Sequence, residues 1–386
     1  MVATDCRDTW INVTTGREPC MAYTAAVIGT GPDPENPSGE GYAMGYRHAD
    51  AYEAIDGVEL VACADIVPEN AEAFARSYGL DDDHVFEDYN EMVTTVEPDI
   101  VSVTVPPALH EDITVDCVRS GVVSAVHCEK PMALTYGGAR RMAETAWRHD
   151  VHLTFNHQRR FGRPFRRAKE LLDDGEVGDL QRVEFSAPHV FDYGSHSFDL
   201  SGYYVDEAAP EWVLAGLDYS EERKLFGAHN ENHAVVQWAY ENGVTGLATT
   251  GVGSDTLSCH NRLIGSGGVI EVGPGGVGSQ TPLRTRRDGE GWEELDTDGE
   301  GLHGQRLEGP RFIQRAIADV VEAVDTGDPS ELCARNALNA TEIIFGAWES
   351  ARRRGRVEFP LDVEDNPLEA MVESGELTPE PPAEDA

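Results

Sequence analysis

Short apolar runs alternate with longer amphipathic segments through the first 160 residues of the chain. Each apolar run predicts a buried strand, and each amphipathic segment predicts a helix. The strands are predicted at residues 25–28, 58–64, 100–105, 122–127 and 151–155, and the helices at 42–55, 68–78, 108–120 and 135–149. Pro68 suits a first helical turn and Thr135 suits a helix cap. Strands that alternate with helices predict a parallel, doubly wound α/β sheet.

The pattern changes after about residue 160. One helix, predicted at 164–172, precedes strand-like runs that follow one another without helices between them. These runs lie at residues 180–191, 234–240, 244–250, 257–264 and 268–272, and helices at 310–324 and 331–353 close the chain. Successive strands predict a second, α+β domain with a large, mostly antiparallel open β-sheet flanked by helices.

The change of pattern divides the chain into two domains with an extension at each end. The first domain is predicted at residues 23–156 and the second at 157–360. Because Met21 directly precedes the first strand, we expect residues 1–22 to be a disordered extension, and an upstream start codon is the alternative explanation of residues 1–20. Residues 361–386 are acidic and contain proline, so we expect a disordered tail there.

The charge of the chain is strongly one-sided. Acidic residues outnumber Lys plus Arg by 70 to 30, and the formal net charge is -40. This composition excludes a general nucleic-acid binder, which needs a basic surface. The acids are spread along the whole chain, which predicts adaptation to high salt, where charge repulsion is screened. An acidic protein from ordinary salt is the alternative, and in both cases the charge does not identify a substrate.

The cysteines and the apolar runs bear on the compartment. The seven cysteines are scattered and contain no C-x-x-C pair, which is typical of reduced thiols in a cytosol. No apolar run approaches the ~18 residues of a membrane span, and residues 1–20 lack the apolar core of a secretory signal. We therefore expect a cytoplasmic protein without a membrane partner.

A glycine turn follows the first strand. Val27 and Ile28 lead into Gly29-Thr30-Gly31, a G-x-G turn whose backbone N–H groups can face a pyrophosphate. The third glycine of this fingerprint is due at position 34, where the chain has proline, and an insertion at about 32–41 separates the turn from its helix. Gly45 is the candidate for the displaced helix-packing glycine. A loop that happens to contain two glycines is the alternative.

Asp65 ends the second predicted strand. An acid at this position binds the ribose hydroxyls of NAD and repels the 2′-phosphate of NADP. The next residues, Ile66 to Pro68, offer no positive charge for that phosphate. Two alternatives stay open, because Asp65 can be a solvated acid and Arg47 can reach over to a phosphate. We predict NAD as the cofactor in preference to NADP.

Lys130 lies in Cys128-Glu129-Lys130-Pro131, just after a predicted strand, and is one of three lysines in 386 residues. A lysine kept in such a chain is expected to do what arginine cannot, since its ammonium is compact and its pKa responds to burial. The carboxyl ends of parallel strands are where ligands bind in such folds.

Together these segments resemble the Gfo/Idh/MocA family of sugar and polyol oxidoreductases over residues 23–360. The resemblance rests on the strand–G-x-G start, on Glu129-Lys130-Pro131, on residues 105–110 (VPPALH) and on residues 192–199 (DYGSHSFD), which fit the family pattern D-x-G-x-H-x-x-D. The chain departs from the family in the insertion after the glycine turn and in Val105, where threonine is common.

The resemblance assigns roles to individual residues. His196 would be the acid/base, and Lys130 would contact the reacting hydroxyl and the nicotinamide ribose. Asp192 would orient the sugar or the imidazole, and Pro131 would form a rigid turn in which a cis peptide is one option. The remaining cofactor-binding residues would be Pro107, His110 and Glu129, beside Gly29, Thr30, Gly31 and Asp65. A structural role for His196, or a plain helix-start role for His110, is the alternative.

Three further residues are candidates for binding the substrate. Arg160 lies in an Arg-Phe element that resembles one near the family's substrate mouth, although a surface position is equally compatible with the sequence. His157 and Asp199 are the other two. Asp192 and His196 also have a spacing that metal ligands use, but no third ligand follows, so we predict no metal site.

The resulting hypothesis is an NAD(P)-dependent dehydrogenase that acts on a CH–OH group of a sugar, polyol or sugar derivative. An NAD-dependent glycosidase that oxidises its sugar transiently, and a non-catalytic NAD-binding sugar sensor, are the alternatives. The resemblance also implies that residues 157–360 bind the substrate and build a homodimer or homotetramer. The sequence does not identify the sugar or the carbon oxidised.

Overall fold

The computed structural model describes residues 23–34, 43–275, 281–300 and 310–381. The first domain is a parallel sheet of six strands, in the order β3-β2-β1-β4-β5-β6. Its strands are β1 Tyr23–Ile28, β2 Val58–Ala64, β3 Val85–Phe86, β4 Ile100–Val103, β5 Ala125–Cys128 and β6 His152–Phe155, and its helices are α1 Met44–Glu53, α2 Pro68–Tyr78, α3 Tyr89–Val96, α4 His110–Ser120 and α5 Tyr136–His149. The predicted doubly wound sheet is confirmed.

The second domain is built on a large, mostly antiparallel sheet, as predicted. In the described parts of the chain this sheet has nine strands, in the order β16-β15-β14-β13-β7-β12-β11-β8-β17, and only β7 and β12 pair in parallel. Its elements are α6 Arg163–Asp173, β7 Leu180–Ala187, α7 Gly194–Tyr204, β8 Pro210–Asp218, β9 Lys224–Leu225, β10 Ala228–His229, β11 His233–Tyr240, β12 Thr245–Thr250, β13 Asn261–Gly265, β14 Gly268–Val272, β15 Leu283–Arg287, β16 Glu293–Glu294, α8 Pro310–Thr326, α9 Ala334–Arg353, β17 Val357–Glu358 and α10 Pro367–Glu373. Strands β9 and β10 form a separate two-stranded ribbon.

Aromatic side chains fill the space between this sheet and helices α7 and α9. Phe198 of α7 packs against Phe185 of β7 and Trp238 of β11, with ring centroids 4.8 and 5.1 Å away. Trp348 of α9 is 1% exposed and lies in the same apolar cluster. This packing fixes α7, which carries candidate site residues, against the inner face of the sheet.

Helices from the end of the chain return to the first domain. Ile313, Ile317 and Val320 of α8 belong to the apolar cluster that contains Tyr52 of α1 and Phe74 of α2. Ala334 and Ala337 of α9 join the cluster on the other face of the parallel sheet. The core of the first domain therefore includes residues from far beyond the boundary that the sequence predicts at residue 156.

The C-terminal segment is folded where the structure describes it. Leu368 and Met371 of α10 are 0% and 3% exposed, and the Asn366 side chain caps this helix by accepting hydrogen bonds from the N–H groups of Leu368 and Glu369. The prediction of a disordered tail is thus wrong for residues 361–381, because apolar residues among the acids anchor the segment to the second domain. Residues 1–22 and 382–386 lie outside the described residues.

Among the described helices, none combines the length and the apolar composition that crossing a membrane requires.

Candidate functional site

The glycine turn after β1 brings the backbone and helix α1 into close contact. Gly29 and Gly31 have φ angles of +85° and +71°, which side-chain-bearing residues rarely adopt. A Cβ on Gly45 of α1 would lie 2.9 Å from both Cα and O of Thr30, so only glycine fits there. Gly45 is therefore the displaced helix-packing glycine that the sequence predicts. Residues 35–42, most of the insertion, lie outside the described residues.

Asp65 follows β2 and faces this turn. Its Oδ2 accepts hydrogen bonds from the Gly31 N–H at 3.0 Å and from the Thr30 hydroxyl at 3.1 Å. The neighbouring Ile66 side chain is 77% exposed and brings no charge. Arg47 lies on the other side of α1, where it lines a small cavity with Ile313 and Gln314 of α8. The close backbone approach at Gly45 and the carboxylate at the strand tip fit a dinucleotide with free ribose hydroxyls.

Lys130 joins the two domains. It follows β5, and its Nζ donates to Oδ1 of Asp192 at 2.8 Å and to the Asp192 carbonyl at 3.4 Å. The Lys130–Pro131 peptide is cis, which is one option of the predicted turn. Both side chains of the ion pair are about one-fifth exposed, 19% and 21%. The pair can therefore still meet a ligand at the carboxyl edge of the parallel sheet.

Asp192 is kept ionised by its surroundings. Burial acts to raise the pKa of this carboxyl group, but the charge and hydrogen bond of Lys130 outweigh burial and hold the pKa below its usual value. His189, four residues before Tyr193, accepts a hydrogen bond from the Tyr193 N–H at 3.3 Å through Nδ1. Burial lowers the pKa of His189 to about 4, so this ring is neutral near pH 7.

His196 lies on α7, although the sequence pattern does not predict this helix. Its side chain is 3% exposed, and in the part of the chain that the structure describes its Nδ1 has no hydrogen-bond partner. Burial, followed by the positive charges of Arg159 and Lys130, holds the pKa of His196 well below 6.5. A neutral imidazole can accept a proton, and the charge of Lys130 is close enough to help lower the pKa of this ring.

Arg160 and Asp199 bind each other. The Arg160 Nε donates to Asp199 Oδ2 at 2.6 Å and one Nη to Oδ1 at 2.7 Å, and the other Nη pairs with Glu207. Arg160 is 1% exposed and Asp199 2%. The two side chains therefore satisfy each other in the interior, and the binding of substrate by either residue stays a prediction.

His157 stands between that ion pair and His196. Its Nδ1 lies 3.2 Å from Asp199 Oδ1, and its ring centroid lies 5.7 Å from that of His196 in an edge-on arrangement. The side chain is 2% exposed. It is thus a neighbour of the predicted base, and its contact with a substrate stays a prediction.

His110 holds strand ends together. Its two ring nitrogens lie 2.8 Å from the Pro131 carbonyl and 2.9 Å from the Val105 carbonyl, and the side chain is 0% exposed. Both ring nitrogens thus already face backbone acceptors, and the placement of His110 beside the nucleotide stays a prediction. Pro107 is buried at the start of the turn before α4.

Several functional neighbours have no strong signal in the sequence. His48 of α1 and Asn156 after β6 both bond to Glu129, at 3.0 and 2.7 Å. Arg159 Nη1 lies 2.9 Å from Nε2 of His260, a ring that burial keeps neutral by lowering its pKa to about 3. A histidine inside the apolar face of α1 is the one hint that the sequence offers.

Within the described ranges, no three His, Cys, Asp or Glu side chains come together as a possible metal site.

Comparison with known families matches the first domain. Residues 38–157 fit the Gfo/Idh/MocA family model, described as an oxidoreductase family with an NAD-binding Rossmann fold. The matched segment contains Asp65 and the Glu129-Lys130-Pro131 turn.

Individual relatives are dehydrogenases of polyols and glucosides. The chain is 25% identical over 219 residues to myo-inositol 2-dehydrogenase of Thermotoga maritima, covering 53% of this chain and 64% of the relative. It is 32% identical over 142 residues to D-glucoside 3-dehydrogenase of Escherichia coli, covering 37% and 39%. The chain thus spans less than two thirds of either curated relative.

The fold extends beyond that match. The crystal structure of an oxidoreductase from Agrobacterium radiobacter, in complex with NAD+, L-tartaric acid and magnesium, superimposes with a TM-score of 0.71 at 16% identity. The superposition covers 88% of this chain and 98% of the other, so both domains share that fold.

Proposed function

We propose that this chain, whose residues 38–157 match the Gfo/Idh/MocA oxidoreductase family model, transfers a hydride between a CH–OH group of a sugar or polyol and nicotinamide. The observation that carries the proposal is the Lys130–Asp192 ion pair, which sits near the buried base His196 at the edge of the sheet that bears the glycine turn. The relatives named as inositol and glucoside dehydrogenases support a sugar or polyol substrate.

The glycine turn and Asp65 support NAD as the cofactor. When bound, the nicotinamide accepts the hydride that leaves the substrate carbon. Gly29, Thr30 and Gly31 would hold the pyrophosphate, and Asp65 would exchange its hydrogen bonds from the turn for the ribose hydroxyls. A 2′-phosphate at this place would meet the Asp65 carboxylate without a cation beside it, so we propose NAD over NADP.

Lys130 and His196 have different roles at the substrate hydroxyl. The hydroxyl proton passes to His196, whose lowered pKa keeps the imidazole neutral and ready to accept it. Lys130 would donate a hydrogen bond to the same oxygen and stabilise the negative charge that develops as the proton leaves. In the reverse direction the protonated imidazole returns the proton to the oxygen.

Asp192 sets the charge of this arrangement. Its carboxylate holds the Lys130 ammonium in place at 2.8 Å and balances its charge while no substrate is bound. A sugar carries adjacent hydroxyl groups, so the second carboxylate oxygen of Asp192 is suited to accept a hydrogen bond from a neighbouring hydroxyl. This dual contact would orient the reacting carbon.

The first experiment is a substrate screen. Purified protein in concentrated KCl is given NAD or NADP with a panel of aldoses, inositols, deoxy sugars and sugar acids, and NADH or NADPH absorbance is followed. Turnover of a panel member with NAD supports the proposal. If no panel member is turned over although NAD binding is detected by fluorescence, the result would favour the transient-oxidation glycosidase or the sensor.

Size-exclusion chromatography of the same sample tests the homodimer or homotetramer that we expect from the family resemblance.

A further inference from the structure

A row of buried polar side chains leads from helix α1 to the residue before Lys130. The Tyr52 hydroxyl lies 2.7 Å from the Ser102 hydroxyl, which lies 2.9 Å from Nδ1 of His48. Nε2 of His48 lies 3.0 Å from Oε1 of Glu129. Tyr52, Ser102 and His48 are 0% exposed and Glu129 is 7% exposed, so water does not compete for these bonds.

The bond between His48 and Glu129 has a fixed direction. An ionised carboxylate only accepts hydrogen bonds, so the proton of this bond belongs to Nε2 of His48. Asn156 donates to the same oxygen, Oε1 of Glu129, at 2.7 Å, and the two donor nitrogens lie 3.2 Å from each other. Two donors from separate elements, α1 and the end of β6, thus fix one carboxylate oxygen.

Glu129 stays charged despite its burial. Burial acts to raise the pKa of this carboxyl group, but the hydrogen bond and charge of His48, the hydrogen bond of Asn156 and the charge of Lys130 lower it to about 2. The other oxygen, Oε2, accepts the backbone N–H of Lys130 at 3.2 Å. The carboxylate therefore joins α1 on one side to the Lys130 backbone on the other.

We infer that His48 is a positioning residue for the reaction: by holding Glu129 from α1, it fixes the backbone from which Lys130 reaches the substrate. The inference rests on the proposed catalytic role of Lys130. Helix α1 also carries Gly45, which packs on the glycine turn. The same helix would therefore fix the position of the proposed cofactor-binding turn, Gly29 to Gly31, relative to Lys130. This role requires no contact between His48 and the substrate or the cofactor.

Two amide variants that differ by one methylene group separate this role from general packing. In His48→Asn the shorter amide keeps a partner for Ser102 but does not reach Glu129, whereas in His48→Gln the longer amide can donate to Glu129. We expect His48→Asn to lower kcat roughly 10- to 100-fold, the effect of losing one hydrogen bond to a buried charge, with KM for NAD within about threefold. His48→Gln should stay within about fivefold of the wild type in kcat.

The matched control is the neighbouring histidine of β5. His127 is equally buried, its ring centroid lies 5.1 Å from that of His48, and its Nδ1 bonds to Thr154 at 2.9 Å. The asparagine side chain in His127→Asn can replace Nδ1 as the partner of Thr154. The variant alters neither atom of the bond between His48 and Glu129, so kcat should stay near the wild-type value. Equal losses in His127→Asn and His48→Asn, or equal activity of His48→Asn and His48→Gln, would overturn the inference.

A readout independent of turnover is available because the chain has three lysines. Amine acetylation followed by mass spectrometry reports the reactivity of Lys130 relative to Lys224, whose side chain is 46% exposed. We expect this ratio to change in His48→Asn and to return in His48→Gln; an unchanged ratio contradicts the inference. If Lys130→Ala keeps its turnover, the proposed function fails, while the acetylation ratio still tests whether His48 positions the lysine.

Discussion

Nζ of Lys130 lies 2.8 Å from Oδ1 of Asp192, and this ion pair connects the turn after β5 in the first domain to a residue two positions before α7 in the second. The proposed cofactor-binding residues, Gly29 to Gly31 and Asp65, lie in the first domain, and the predicted base His196 lies in the second. The pair therefore stands where the two halves of the proposed reaction meet.

Replacement of Lys130 by alanine should abolish measurable turnover while NAD affinity changes by less than about tenfold, because only the reacting hydroxyl loses its partner. Steady-state kinetics and NAD fluorescence titration measure the two effects. Lys169→Ala is the matched control, since Lys169 lies on α6 and pairs at 2.8 Å with Asp206, which is not a predicted site residue. Near-normal kcat in Lys130→Ala would remove this lysine from the mechanism.

The pH profile of substrate oxidation should report His196. Because the folded-state pKa of His196 is below 6.5, the base is neutral at pH 7, and kcat/KM should fall only as the pH drops through that lowered pKa. His196→Asn should lose roughly 100- to 10,000-fold in kcat/KM and lose this acid limb.

The control for this profile is His149→Asn, at the exposed end of α5, whose profile should match the wild type. Persistence of the acid limb at the same pH in His196→Asn would assign the base to another group.

The Arg160–Asp199 ion pair should make stability depend on acid pH. Burial acts to raise the pKa of Asp199, but Arg160 outweighs it and lowers the pKa from 3.8 to about 2. A lowered folded-state pKa stabilises the protein above the unfolded value, so this contribution, about 2 kcal/mol, should be present above pH 4 and decline between about pH 4 and pH 2. Urea unfolding at a series of pH values measures it.

Asp199→Ala should destabilise the fold by roughly 3–5 kcal/mol at neutral pH, because Arg160 keeps a buried charge with one partner fewer. Glu144→Ala breaks an exposed pair with Arg148 and should leave the unfolding midpoint unchanged within error. Equal shifts in both variants would mean that the buried pair contributes no more than a surface one.

Cofactor choice should depend on Asp65. Asp65→Ser removes the charge that opposes a 2′-phosphate, so the preference for NAD over NADP, measured as the ratio of kcat/KM values, should fall by about tenfold or more. Asp56→Ser, at an exposed turn before β2, is the control and should keep the wild-type ratio. A wild-type enzyme that prefers NADP would contradict the role assigned to Asp65.

The parts of the fold that the sequence predicts well are those with a clear hydrophobic period. The apolar runs of the first domain identify five of the six strands that the structure describes there, and the two-residue strand β3 is missed. The predicted bounds of β2 and α2 agree with the structure. Helix α7 has no such period, because it is buried on nearly all sides: residues 194–202 are all buried. A helix without a polar face gives no amphipathic signal, so the motif predicts His196 as a site residue while the helix that carries it is not predicted.

Contacts between residues far apart in the chain are the other feature that the sequence does not predict. Lys130, Asp192 and His196 are predicted as site residues from local motifs, but the closure of Arg160 onto Asp199 and the His48–Glu129 bond depend on elements 39 and 81 residues apart. A lone histidine in a helix does not indicate its partner. The acidic C-terminal segment shows the reverse error, since composition predicts disorder where a few apolar side chains supply anchors.

The return of α8 to the first domain limits how this protein can be divided and recombined. A fragment cut after residue 156 would lack Ile313, Ile317 and Val320 and would leave an apolar face of α1 and α2 open to water. The first domain therefore cannot be transferred to another protein as one continuous segment that ends at residue 156. A functional chimera would have to exchange residues 23–156 together with the α8 segment, or use a circular permutant that brings the two pieces next to each other.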